Sequence, residues 1–491
     1  MFIKNVAQFG KIHKLRKNGW VKKGPDNRIK RLLMKIKGCT LWGMLGIMIL
    51  LISGCFRPPD IINDISNLRQ DHAFYLSGIS ADETIVDDAV QKKLNEDYTR
   101  RYFSAWHQDK PRCTREDIVW DFNKYGENPG YGENRRKHDR NWMEDLRRNA
   151  GLESYPNRSV RGIVVANTDL RALPTSKPHF DGLDNGAGYP FDRLQLSAVM
   201  ANTPVYISHV SQDKAWVQVE TSFYFGWLPA RDVAFVDESF VRSWQNGRYA
   251  VMIKDQVPIY DEQSRFCFKA PLGSQFPILR EEKDFLDVWI GAADENRQAV
   301  LKVSRIARDN VTQRPLKMTR ANLARVANEL INQPYGWGGL NQNRDCSALT
   351  MDFFAPFGIW LPRNSGQQAH EAGSFIDLEK LSPQEKEAMI LQYGVPYATL
   401  IWRKGHIMLY MGTYEGKALI FHNMWGISTL DLRGRRGRRI VGHAVITTLR
   451  PGIELCSDLE AGCDPLRSVQ GMTILLPDAP VPPSSALSLQ N

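Results

Sequence analysis

A cysteine and two histidines are the residues of this chain best placed to do chemistry. Cys346 lies in PYGWGGLNQNRDCSALTMDFFAPFGI (334–359). There a Gly/Trp-rich turn runs into Asp345-Cys346-Ser347 and then into an apolar-periodic helix carrying Leu349, Phe353 and Phe357. Asp345 suits the N-cap, because its carboxylate can accept from the first unpaired N–H groups of the helix. Cys346 then falls in the first turn, where the partial positive charge of the helix start is expected to favour thiolate and lower the thiol pKa. A buried core cysteine would show the same local pattern, so a nucleophile also requires a base.

The base comes from KGHIMLYMGTYEGKALIFHNMWG (404–426), where two apolar runs flank a short loop bounded by Gly412 and Gly416 and so read as a hairpin. Tyr414 is the midpoint of His406 and His422, so a symmetric hairpin sets the two rings opposite each other. One imidazole then donates from Nδ1 to the other and keeps Nε2 for the nucleophile. A bulge would move one ring to the wrong face.

Other elements must position this pair. Residues 89–107 read as a helix with Val90, Leu94, Tyr98 and Phe103 on one face; 141–151 read as another, closed by Gly151. The stretch 125–134 between them reads as a turn-rich loop. Residues 203–210, 215–221 and 226–237 are short β-rich runs of a small barrel, and 247–306 repeat the style. Residues 319–333 form an amphipathic helix with Leu323, Val326, Leu330 and Ile331 on its stripe. RGRRGRR (433–439) reads as a solvated loop, His370 and His443 as structural, and the Pro/Ser-rich 477–491 as a disordered tail.

Charge is concentrated at the front. Of 491 residues, 64 are Lys or Arg and 54 are Asp or Glu. Residues 1–38 hold twelve of those bases and one acid, Asp26, and 39–54 hold no charge, leaving 52 bases against 53 acids from Cys55 onward. That balance removes the footprint of a nucleic-acid binder. Leu41–Ile52 is short for a membrane span but suits a signal h-region. Ser53-Gly54-Cys55 resembles a bacterial lipobox, with Cys55 the lipidated first residue; a short uncleaved anchor is the alternative. Phe56 is not the Asp of an inner-membrane retention signal, so a Gram-negative host would carry the lipid on the periplasmic side of its outer membrane. The basic leader is long, and Met34 is the expected translation start. The seven cysteines include no CxxC; Cys456 and Cys463 are either a disulfide or two thiols. HExxH, the P-loop pattern and GxSxG are absent.

With these residues in view, the chain resembles the NlpC-type papain-like peptidases of bacterial cell walls. The resemblance covers about 318–450 and rests on the WGG turn (337–339), Asp345-Cys346-Ser347, LPRNSGQQ (361–368), Gly405-His406 and His422. Ala348 stands where the family commonly has Gly. The upstream modules resemble a subgroup with an N-terminal stabilising domain and two SH3-like domains, which includes γ-D-glutamyl-L-diamino acid endopeptidases.

The resemblance implies a multidomain fold: an α+β papain-like peptidase domain behind two small all-β SH3-like barrels and a mainly helical N-terminal domain. The expected boundaries are 1–54 (signal segment), 55–154 (helical), 155–240 and 241–308 (barrels), 316–452 (peptidase) and 453–491 (loop and tail). It implies Cys346 as nucleophile, His406 as general base and then acid, His422 as the orienting third member, and the Cys346 N–H as an oxyanion donor. Asp345, Ser347 and Tyr224 would hold the free L-Ala amine of a peptidoglycan stem peptide. The expected reaction is hydrolysis of the γ-D-glutamyl–diamino acid bond through a thioester, by a monomer with no metal or organic cofactor. The rivals are an amidase or acyltransferase on the same Cys-His core, and a non-catalytic wall-binding scaffold.

Overall fold

The computed structural model describes residues 62–77, 80–184, 186–430, 434–456 and 464–477. The expected signal segment, the start at Met34, lipidation at Cys55 and nearly all of the expected tail lie outside the described residues, as does Cys463. Cys456 is disulfide-bonded. No described helix is long and apolar enough to cross a membrane.

The helical region holds α1 (Asp88–Tyr102), α2 (Arg115–Glu127) and α3 (Arg140–Ala150). Helix α1 ends five residues before the sequence pattern suggests, passing into a 3₁₀ turn at Ser104–His107. Helix α3 closes on Gly151 in the left-handed region, φ 61°, as its C-terminal Gly requires. Helix α2 occupies a stretch to which the sequence pattern assigned no element, meeting the expected loop only at 125–127: Thr114 and Asp117 form a capping box, and Ile118, Phe122 and Tyr125 bury its inner face. Leu76 and Val86, ahead of α1, join the core of the C-terminal domain.

The first barrel is a seven-stranded sheet in the order β3-β2-β6-β5-β4-β1-β7. Its strands are β1 (Val160–Val164), β2 (Thr168–Arg171), β3 (Gln195–Val199), β4 (Pro204–Val210), β5 (Trp216–Glu220), β6 (Phe225–Pro229) and β7 (Val233–Phe235). Helix α4 (Glu238–Trp244) leads to the second barrel. Its strands are β8 (Tyr249–Met252), β9 (Val257–Tyr260), β10 (Phe266–Ala270), β11 (Gln275–Glu281), β12 (Phe285–Ala293), β13 (Ala299–Ala307) and β14 (Val311–Gln313). Five of them form a sheet in the order β13-β12-β11-β8-β14, and β9 pairs with β10.

The C-terminal domain packs α5 (Arg320–Leu330), α6 (Cys346–Phe354) and α7 (Ser365–Glu371) with α8 (Pro383–Tyr393) around a six-stranded sheet. The sheet holds β15 (Ser374–Asp377), β16 (Thr399–Arg403), β17 (His406–Tyr414), β18 (Lys417–Leu430), β19 (Arg436–Thr448) and β20 (Gly471–Ile474), in the order β15-β20-β16-β17-β18-β19. Helix α6 buries Leu349, Phe353 and Phe354 against Ile407, Leu409 and Phe421. The arginine-rich run is not a loop, for Arg436–Arg439 extend β19 along the far end of β18.

Candidate active site

The helix that begins at Cys346 starts where the sequence places it. Asp345 caps α6, accepting from Ala348 N at 2.8 Å, and Cys346 is the first helical residue. The thiol does not follow the expected shift. Burial, and then the charge of Asp345, push it up to about 12; the N–H groups of Ile407 and Ser347 and the Arg363 charge only partly offset this. The helix-start field is outweighed by removal from water, which favours the thiol form of Cys346.

Arg363 and Gln368 show what LPRNSGQQ does. Arg363 donates to both Asp345 oxygens, at 3.0 and 2.7 Å, to Ser347 Oγ at 2.8 Å and to Ser197 Oγ at 2.8 Å, the last on the first barrel. Gln368 accepts from Thr350 Oγ1 at 2.7 Å and donates to the carbonyls of Ser347 and Pro362. Both side chains therefore clamp the first turn of α6. The WGG turn rests on β3: a Cβ at Gly338 (φ +60°) would lie 2.5 Å from the Gln195 carbonyl oxygen, so no larger residue fits.

The two histidines meet, by a route the midpoint argument missed. The hairpin turns at Glu415-Gly416, so its outer rungs pair Tyr414 with Lys417 and Gly412 with Leu419. Continued without interruption, that register would put His406 and His422 on opposite faces. A bulge between Tyr410 and Gly412 resets the ladder to Tyr410–Ile420 and Leu409–Phe421, which returns both rings to one face, diagonally offset by two residues. The bulge brings the rings together rather than separating them.

Their nitrogens also differ from expectation. His406 Nε2 and His422 Nδ1 are 2.8 Å apart, and His422 Nε2 lies 3.1 Å from Thr447 Oγ1. The Thr447 hydroxyl donates to the Thr448 carbonyl at 2.8 Å, so it accepts from His422 Nε2–H. His422 Nδ1 then accepts from His406 Nε2–H, leaving His406 Nδ1 as the open basic nitrogen. Burial, then the neighbouring His422 and Arg403, hold His406 well below the usual range; burial and Arg403 lower His422 to about 3. Both rings are neutral. The Cys346 sulfur lies against the N–H of Ile407, the residue after His406, and makes no direct hydrogen bond to an imidazole in this state.

Two residues at the site escaped the sequence reading. Thr447 carried no local signal. Tyr335, just ahead of the Gly-Trp turn, lies in electrostatic reach of Cys346 and Asp345, and its burial raises the phenol pKa. Tyr224 is 38% exposed, stacks on Phe225 and senses Arg363. Ser347 is buried and donates to Asp345 at 3.2 Å. The amine pocket expected from Asp345 has a difficulty: one carboxylate oxygen accepts from Ala348, Ser347 and Arg363, the other from Gly338 and Arg363. No lone pair is left for a substrate ammonium. His370 and His443 stand apart, His370 packed on Phe375 and Trp402 and His443 bonded to the Val441 carbonyl.

Comparison with known proteins gives four matches in chain order. A family model described as the NLPC_P60 stabilising domain covers 42–155, an SH3 domain of SH3b1 type 178–229, an SH3 domain of SH3b2 type 237–283, and the NlpC/P60 family 332–436. Among solved structures, an NlpC/P60 endopeptidase from Photobacterium damselae subsp. piscicida aligns with a TM-score of 0.76 and 29% identity, over 84% of this chain and 98% of that one. The bifunctional muramidase/DL-endopeptidase CwlT of Bacillus subtilis is 37% identical over 89 residues. Those residues are 18% of this chain, which spans only 20% of that curated relative.

Proposed function

Because the chain carries an NlpC/P60 family domain behind an NLPC_P60 stabilising domain and two SH3 domains, we propose that it is a cysteine peptidase of the bacterial cell wall. The bond cut is that between γ-D-glutamate and the diamino acid of a peptidoglycan stem peptide. The single observation carrying this reading is the ordered chain His406–His422–Thr447, set beside a thiol at the start of α6.

In this reading Cys346 Sγ attacks the γ-carbonyl carbon while its proton passes to His406 Nδ1. A preformed thiolate is not required, because the thiol and a neutral base react together. The imidazolium that forms keeps its Nε2–H on His422 Nδ1, and His422 is held in turn by Thr447. The Cys346 N–H and the Tyr335 hydroxyl are the candidate donors to the oxyanion. His406 then protonates the leaving amine, and water, deprotonated by the same ring, hydrolyses the thioester.

The spent lone pairs of Asp345 favour a cap and clamp role for Asp345 and Ser347, with Tyr224 at the rim. We therefore drop the free L-Ala amine as a requirement. Peptides with free and acetylated amines are expected to be cleaved within a few-fold of each other, and a strong preference for the free amine would restore the amine pocket. The Ser53-Gly54-Cys55 pattern supports tethering at the cell envelope through lipid on Cys55, which mass spectrometry of the mature N-terminus tests.

The decisive experiment is Cys346→Ala with L-Ala-γ-D-Glu-diaminopimelate, products identified by mass spectrometry. Wild type is expected to release L-Ala-γ-D-Glu, with a hydroxylamine-trappable acyl-enzyme, and the variant to release none. Cleavage that survives the substitution, or release of a different fragment, overturns the reading.

A further inference from the structure

Residues 62–77, ahead of α1, make two short helical turns, Asn63–Asn67 and His72–Tyr75, and wrap the outer edge of β19. On one side Ile62 and Ile65 pack with Met424, Ile427 and Val445; on the other, Leu68 and Leu76 pack against the core that holds Phe421 and Ile446. Strand β19 is the last of its sheet, so its outward N–H and C=O groups need partners from elsewhere. Gln70 supplies both at Ile446: its amide accepts from Ile446 N at 2.7 Å and donates to the Ile446 carbonyl at 2.9 Å. One oxygen of Asp64 accepts from Thr448 N at 2.8 Å and from Thr448 Oγ1 at 2.7 Å. The same hydroxyl accepts from Arg450 N at 3.1 Å, so Thr448 is tied on both sides.

Thr447 sits between the two held residues. It is fully buried, and it shares a face of the sheet with Val445, which pairs with His422. Its hydroxyl meets His422 Nε2 and the Thr448 carbonyl at once, at 3.1 and 2.8 Å. Hydrogen bonds weaken steeply with distance and angle, so that hydroxyl serves His422 only while the backbone on either side stays in place. We propose that Asp64 and Gln70 are positioning residues for the reaction: they hold Ile446 and Thr448 so that Thr447 fixes the tautomer of His422. This rests on the peptidase reading above. Nothing in local spacing points to it, since Asp64 and Thr448 are 384 residues apart.

The test is a double-mutant cycle on kcat of the full chain with L-Ala-γ-D-Glu-diaminopimelate. Asp64→Ala and Gln70→Ala should each lower kcat by about threefold with KM little changed, since they loosen the bond at Thr447 without removing it. Asp64→Asn keeps an oxygen for the Thr448 N–H and hydroxyl and should recover most of the loss. In a Thr447→Val background, Asp64→Ala should lower kcat by less than about twofold, because the hydroxyl it positions is gone. Residues that only cover the sheet edge would lower the thermal midpoint and leave kcat per folded molecule unchanged, or add their loss in full to that of Thr447→Val. Either result overturns the proposal and leaves the peptidase reading standing. Gln70 is half-buried, and Gln70→Ala carries the same cycle if Asp64→Ala fails to fold. A wild type that cleaves nothing overturns both.

Discussion

Arg363 grips both carboxylate oxygens of Asp345, at 3.0 and 2.7 Å, while its own Nε is held by Ser197 of the first barrel. The cap of the helix that begins at Cys346 is thus tied to another domain. Arg363→Met would strand a buried carboxylate and is expected to cost about 3–5 kcal/mol in chemical denaturation, because the charge loses its partner. Adding Asp345→Asn should recover part of that loss. Strictly additive losses would show that the pair is not coupled.

Thr447 sets the tautomer of His422 by accepting one proton and giving another to Thr448. Thr447→Val removes that acceptor without changing the shape of the side chain much. One hydrogen bond of this kind is worth about 1 kcal/mol, so kcat should fall about fivefold with KM little changed. An unaltered kcat would remove Thr447 from the chain of donors.

Both histidines are neutral in the folded state far below the pH at which a free imidazole titrates, His422 near 3. The acid limb of kcat/KM should therefore lie well below pH 6.5. The unfolded chain takes up these protons near pH 6.5 and the folded chain does not. The stability they confer is complete above 6.5 and is lost progressively as pH falls toward 3. A kcat/KM limb centred at 6.5, or thermal stability flat from pH 7 to 4, would refute this.

The bulge at Tyr410–Gly412 places both rings on one face, and Gly412 there has φ +115°. Gly412→Val should cost about 1–3 kcal/mol, since a β-branched residue is strained at that angle. Activity should fall by much more than this stability loss, because any relaxation of the bulge slides His406 away from His422. Circular dichroism with kcat reads the two effects separately, and a normal kcat in a folded variant would mean that the register does not depend on Gly412.

The sequence by itself carried the chain of modules, the capped helix that begins at Cys346 and the hairpin bearing two histidines. Each is written in local spacing: an Asp before an apolar-periodic run, or two apolar runs around a Gly-bounded turn. Helix α2 was legible too, through the Thr114 and Asp117 capping pair, but was left unassigned. What only the tertiary structure decided depends on registers and distances that no short window encodes. One bulge chose the face for His406, Thr447 on a third strand chose which nitrogen stays open, and burial overrode the helix-start field at Cys346. Arg363, which looked like part of a weak motif, turned out to hold the cap because residues 18 positions apart meet across a helix start. Local pattern specifies elements through steric and hydrogen-bonding preference, whereas protonation and contact are set by what the rest of the chain removes from water.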